Sequence, residues 1–134
     1  FFVVRKSLCD TYDLKWDETL TSYAYAEDLD FSFTYYKKAS QIGLQCILSP
    51  EVRVKHMISK EYRIPSYRST WMYVVHRRYL SYKHGYSWTS RAAMNWCDFW
   101  RLIERIIKQQ NPGDMLKAYL YYAKNKAKIR RGCL

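Results

Sequence analysis

The chain has 134 residues, 49% of them hydrophobic, which suits one domain with a real core and excludes a disordered chain. Its formal net charge is +11, and no stretch is long and apolar enough to span a bilayer, so the charge points to an anionic partner: nucleic acid, acidic glycan or protein, or anionic lipid. Aromatics make up 18%, with 14 Tyr and 5 Trp, rings whose polar tips suit half-wet places such as interfaces and lipid headgroups.

The charge is unevenly placed. Residues 1–30 hold Arg5, Lys6 and Lys15 against Asp10, Asp13, Asp17, Glu18, Glu27, Asp28 and Asp30, a net of −4. Residues 31–134 carry 20 basic and 5 acidic side chains, a net of +15. The expectation is one domain, 1–134, with an acidic N-terminal segment and a basic body. The opening Phe1-Phe2-Val3-Val4 is too short for a signal peptide, so an export signal is expected to have been removed already.

Leu20, Ala24, Phe31, Tyr35, Ala39, Ile42 and Cys46 keep a helical period. Glu27, Asp28 and Asp30 interrupt that face, which predicts a break near residues 28–34. Ser49-Pro50-Glu51 reads as an N-cap followed by Pro at the first helical position, with Val54, Met57, Ile58 and Tyr62 as the stripe behind it. The alternative is that Pro50 only kinks a helix begun near Thr34. Pro65 marks the upstream boundary of one long helix over Ser69–Asn95, with Met72, Val75, Tyr79, Tyr82, Tyr86 and Ala93 as its apolar face. Gly85 lies inside it as a weak spot or a point of close helix contact.

Asp98 is the predicted N-cap of a helix over 98–110. Phe99, Leu102, Ile103, Ile106 and Ile107 form its core face, while Arg101, Glu104, Arg105 and Lys108 take the other face. Asn111-Pro112-Gly113 stops it, and Asp114 caps a last helix with the stripe Leu116, Tyr119, Leu120, Ala123 and Ala127, ended by Gly132. With four glycines, three prolines and no sustained strand alternation, the prediction is an all-α fold of about five helices in an up-down bundle.

No motif promotes catalysis. A G-x-S-x-G elbow, a phosphate-binding Gly-rich loop and H-E-x-x-H are all absent, so no enzyme activity, metal or cofactor is expected. His76 and His84 are two helical turns apart, too distant to share a metal. Bases interleave with aromatics instead. The candidate binding surface comprises Arg77, Arg78, Lys83, Lys117, Lys124, Lys126, Lys128, Arg130 and Arg131, with Tyr73, Tyr82, Trp88, Tyr121 and Tyr122 as candidate exposed rings. Cys9, Cys46, Cys97 and Cys133 are dispersed with no C-x-x-C, which opposes a zinc ribbon and leaves two readings: exported disulfides, or four free thiols.

Tyr73-Val74-Val75-His76-Arg77-Arg78-Tyr79 resembles the Y-F-V-N-R-R-Y stretch of abalone sperm lysins. Asp98-Phe99-Trp100-Arg101-Leu102 resembles their D-Y-T-R-L, and Val54-Lys55 matches an upstream V-K pair. The resemblance covers roughly residues 44–110. Lysins lack cysteine, and this chain has four and is richer in aromatics, so it resembles the fusagenic branch of the lysin family more closely. The resemblance implies a five-helix bundle, secretion from the sperm acrosomal vesicle, and a part in joining sperm and egg membranes. It carries Arg77 and Arg78 over as basic surface positions, and Tyr79 and Leu102 as core. The expected partner is therefore an anionic membrane, the egg plasma membrane; an egg-surface or egg-coat glycoprotein, loosened without cleavage as lysin does, is the alternative. Nucleic acid is not expected.

Overall fold

The structure, a computed structural model, describes residues 3–20, 26–47, 49–51, 53, 55 and 64–134. The all-α expectation is borne out. Among the described residues there are five helices, α1 (Lys6–Thr11), α2 (Glu27–Gln41), α3 (Ser66–Lys83), α4 (Trp88–Ile107) and α5 (Pro112–Arg130), and no strand. The chain divides into two compact units: residues 1–18 with 27–63, and residues 19–26 with 64–134.

In the first unit, α2 runs without the break expected near 28–34. Glu27, Asp28 and Asp30 fall in its first turn, where the positive end of the helix dipole favours acids. Phe31 and Ala39 are buried, and Trp16 stacks on Phe31 at 4.4 Å between ring centroids. The short α1 was not foreseen; Leu8 is its buried residue. Pro50 does not kink α2, which ends at Gln41 ahead of Gly43, and Pro50 and Glu51 lie in a turn. The stripe Val54, Met57, Ile58 and Tyr62, together with Ala24, lies outside the described residues.

The second unit carries the candidate site. Its central helix is α3, buried on every side by Thr70, Met72, Val74, Val75, His76, Arg78, Tyr79, Leu80 and Ser81. Leu20, Ala26, Val75, Tyr79, Leu80 and Ile129 form one apolar cluster, with Trp71, Tyr122 and Leu134 against it. Side-chain pairs set the helix directions. Ser66 meets Asp114 and Tyr82 meets Tyr122, so α5 runs parallel to α3. Arg77 meets Asp98 and Arg78 meets Asn95, so α4 runs antiparallel to it. The three helices thus alternate in direction.

The long helix expected over 69–95 is two helices, because Gly85 stops α3. With φ +64 it takes the left-handed conformation that only glycine adopts cheaply. The Gly85 N–H then donates to the Tyr82 carbonyl at 3.1 Å and the Tyr86 N–H to the Ser81 carbonyl at 2.9 Å, the paired bonds of a Schellman stop. Ser87 restarts the chain as N-cap of α4, its Oγ accepting from the Ser90 N–H at 3.1 Å. This early cap moves Asp98 from its predicted N-cap position into the middle of α4.

Two predicted faces are corrected. On α5 the buried residues are Met115, Ala118 and Ile129, with Tyr122 half-buried. The predicted stripe of Leu116, Leu120, Ala123 and Ala127 is exposed, and Tyr119 alone of that set is half-buried. Both stripes keep a helical period, and α3 takes the one carrying Tyr119 and Tyr122, whose rings meet Arg78. On α4 the correction is larger, and it makes the site.

Candidate functional site

Helix α4 is amphipathic, but its polar face is the one turned inward. Asp98 is its buried residue, and Arg91, Met94, Leu102 and Arg105, which share that side of the helix, are half-buried. The opposite side carries Trp88, Trp96, Phe99, Trp100, Ile103, Ile106 and Ile107 within an arc of roughly 120°. Trp88, Trp96 and Ile107 are 74%, 61% and 76% exposed, and Phe99, Trp100 and Ile106 are about half exposed. Trp96, Phe99 and Trp100 form a cluster of three mutually contacting rings, with centroids 5.7–5.9 Å apart. Beside them an open groove of about 590 Å³ is lined by Tyr73, Trp96, Cys97, Trp100, Arg101 and Glu104.

Electrostatics explains the inversion. Helix α3 contains bases and no acid, and it places Arg77 and Arg78 side by side. Asp98 answers both. Arg77 Nη1 donates to Asp98 Oδ1 at 2.9 Å, Arg78 Nη1 lies 2.8 Å from Asp98 Oδ2, and the Tyr73 hydroxyl donates to Oδ1 at 3.0 Å. Arg78 Nη2 also donates to Asn95 Oδ1 at 2.7 Å and to the Tyr119 hydroxyl oxygen at 3.0 Å. A buried guanidinium without its carboxylate is strongly destabilising, so the pair fixes which side of α4 faces α3. Rings finish the lining: Tyr73 has the guanidinium of Arg77 at 4.4 Å and that of Arg101 at 4.5 Å.

Burial alone would raise the Asp98 carboxyl pKa. Hydrogen bonds from Tyr119 and Arg78 and the charges of Arg78 and Arg77 outweigh it, and the carboxyl is held below the usual Asp range. Burial, reinforced by the Tyr82 hydrogen bond, pushes the Tyr122 hydroxyl up to about 12. The network between the helices is therefore one carboxylate against several fixed cations and neutral phenols.

The predicted surface residues divide accordingly. Arg78 is a correction: it is buried, because Asp98, Asn95 and Tyr119 claim its guanidinium. Arg77 is also corrected, its side chain only 26% exposed and paired to Asp98. Lys83, Lys117, Lys124, Lys126, Lys128, Arg130 and Arg131 are exposed. Lys117, Tyr121, Lys124, Lys128 and Arg131 recur at i, i+4, i+7, i+11 and i+14 and so form one stripe along the outer face of α5. The exposed Leu116 and Leu120 lie beside that stripe. Among the candidate exposed rings, Trp88 and Tyr121 are exposed. Tyr73, Tyr82 and Tyr122 are half-buried, a further correction, because their hydroxyls bond inward: Tyr73 to Asp98, and Tyr82 to Tyr122 at 2.6 Å. Tyr79 is buried and Leu102 half-buried.

The four cysteines are free thiols in this structure. Cys9 is half-buried on α1, Cys46 is exposed after α2, Cys97 is exposed on α4, and Cys133 is exposed past α5. Among the described residues no cluster of three His, Cys, Asp or Glu side chains is placed to hold a metal, and no helix is long and apolar enough to cross a membrane.

Sequence reasoning missed Trp96 and Trp100 and assigned Phe99, Ile103, Ile106 and Ile107 to a core. The available signal was Asp98 itself, the lone acid on the side of α4 that carries Arg91, Arg105 and Met94, facing a helix with adjacent arginines and no acid. No family model, no curated protein and no solved structure matches the chain.

Proposed function

We propose that this chain is a non-enzymatic, surface-active protein that docks on an anionic membrane and perturbs it, inserting the outward apolar face of α4 while the basic stripe of α5 holds the headgroups. The single observation that supports the reading is the inverted helix: six large apolar side chains of α4 stand about half exposed or more on one face. Their combined exposed area is on the order of 600 Å² or more, taking 150–250 Å² per aromatic ring, above what an ordinary monomer leaves uncovered. Sinking a third of it into lipid would gain about 5 kcal/mol, which salt does not screen. Each Lys or Arg near an anionic surface adds about 1 kcal/mol, which salt does screen. The two contributions together suit a saline medium.

The resemblance to the lysin family gives this surface a biological setting. In that setting the protein is secreted, stored in the sperm acrosomal vesicle and released to promote fusion of sperm and egg plasma membranes. Vesicles test the reading. Mixed with the protein, vesicles containing phosphatidylserine are expected to leak dye and mix lipids, and neutral ones to do so far less. Inert anionic vesicles, combined with stoichiometric dissolution of isolated egg envelopes without peptide products, would replace membrane action with envelope binding.

A further inference from the structure

One end of the second unit gathers two arginines, Arg91 and Arg130, that no carboxylate among the described residues neutralises. The α3 stop, the start of α4 and the last turn of α5 meet there around Tyr82. The guanidinium of Arg91, from α4, lies 5.5 Å from the Tyr82 ring centroid, and that of Arg130, from α5, lies 5.1 Å from it. The two groups are therefore no more than roughly 11 Å apart around one ring, and one phosphate reaches both wherever their separation is about 8 Å or less. Tyr82 is itself fixed, its hydroxyl bonded to that of Tyr122 at 2.6 Å. Residues 83–97 and 115–134 contain no Asp or Glu, and α3 contains none. Among the described residues, no carboxylate lies within ion-pair distance of Arg91 or Arg130. Arg78, by contrast, needed Asp98 to be accommodated.

We infer that Arg91 and Arg130 form a phosphate clamp for an anionic phospholipid headgroup, with a phosphomonoester as the best-matched ligand. This rests on the membrane reading and names its headgroup. Two guanidiniums from different helices present N–H donors to a shared anion, and a dianionic phosphate balances both charges where a diester or carboxylate balances one. Lipid, not free phosphate, is the assigned source because Trp88 stands 74% exposed at the start of α4, three residues before Arg91 on the same helix. A ring that anchors at the interface would bring the clamp to headgroup depth.

Binding of the full chain is to be measured on vesicles of phosphatidylcholine doped with phosphatidic acid or with phosphatidylserine, matched in surface potential. Wild type is expected to bind the phosphatidic acid vesicles at least fivefold more tightly. R91K and R130K, which keep the charge and lose the planar fork, are expected to bring the two affinities together. Arg130 is exposed, so R130K tests the clamp even if Arg91 variants fold poorly. A variant with Trp96, Phe99 and Trp100 replaced by Ala is expected to bind both vesicles more weakly with the ratio intact. Equal wild-type binding at matched potential, or a ratio that survives both lysine variants, would overturn the clamp while leaving membrane docking in place. A second arm adds glycerol 3-phosphate and follows the arginine side-chain resonances by NMR. Millimolar shifts confined to Arg91 and Arg130 support the site. Binding at micromolar concentration that displaces the protein from vesicles overturns lipid as the source. Shifts at these arginines with no binding to any vesicle leave the anion site and overturn the membrane reading.

Discussion

Replacing Asp98 by Asn should remove the charge that holds α4 polar-side inward. The carboxylate is fully buried and takes Arg77 Nη1 at 2.9 Å, Arg78 Nη1 at 2.8 Å and the Tyr73 hydroxyl at 3.0 Å. Arg77, with 26% of its side chain exposed, can recover water; Arg78, with 2%, cannot. Removing one partner of a buried pair costs about 3–5 kcal/mol, and the hydration open to Arg77 places this case near 3 kcal/mol. At roughly 4–8 °C per kcal/mol for a unit of this size, Tm should fall by roughly 12–24 °C. Urea unfolding followed by circular dichroism at neutral pH gives the free energy. The same reasoning requires the double change Asp98→Leu with Arg78→Met to recover most of the loss, since the buried guanidinium goes with its carboxylate and the partly exposed Arg77 can turn to water. A loss below about 1 kcal/mol for Asp98→Asn would refute the claim that this ion pair orients α4. The pH dependence has a definite sign. The folded carboxyl lies below the ordinary Asp value of about 3.9, so its stabilisation is complete above that pH and disappears as the pH falls through the folded pKa. Wild type should lose stability in that acid window, and Asp98→Asn should lack this part of the decline.

Gly132→Ala should cost about 1–2 kcal/mol, because φ is +79 and an added Cβ would stand 3.3 Å from Tyr79 Cε2; Gly85→Ala, with φ +64 and open space around it, should cost about 1 kcal/mol. Replacing Trp96, Phe99 and Trp100 together by Ala should change unfolding free energy by no more than about 1 kcal/mol, since all three are at least about half exposed; a large loss would mean that the face is packed in solution. A thiol reagent without denaturant should modify Cys46, Cys97 and Cys133 quickly and Cys9 more slowly, whereas fewer than four titratable thiols after unfolding without reductant would establish a disulfide.

The all-α class and several boundary signals were legible because they are local. Pro65 precedes α3, Pro112 opens α5, and Gly132 stops it, each by backbone geometry that neighbours do not alter. Gly85 carried the same signal as Gly132. The aromatic pattern of 69–95 runs across it and suggests a weak spot or a close helix contact inside one helix, which hides the stop and the Ser87 cap behind it. Facing was less legible, because periodicity gives a stripe and not its partner. On α4 the apolar stripe is genuine, yet Arg77 and Arg78 draw the opposite face inward through Asp98, because a buried guanidinium left without its carboxylate costs about 3–5 kcal/mol. On α5 two stripes one residue apart compete, and the one bearing Tyr119 and Tyr122 wins by meeting the Arg78 guanidinium. The basic stripe Lys117, Lys124, Lys128 and Arg131 was legible residue by residue, since long cations without acids nearby stay in water. Arg91 was not, because its significance comes from Arg130 reaching the same ring from another helix.

The outward apolar face of α4 is tested most directly by depth-dependent fluorescence quenching. A variant with Trp16, Trp71 and Trp88 replaced by Phe keeps only Trp96 and Trp100 as emitters. On vesicles containing phosphatidylserine and lipids brominated at shallow acyl positions, their emission should shift to the blue and be strongly quenched. The shift should persist at physiological salt and depend on the anionic lipid for its onset. Emission that stays at its solution wavelength, unquenched while the protein sediments with the vesicles, would mean that the chain docks through its cations alone and that the inverted face of α4 serves another partner.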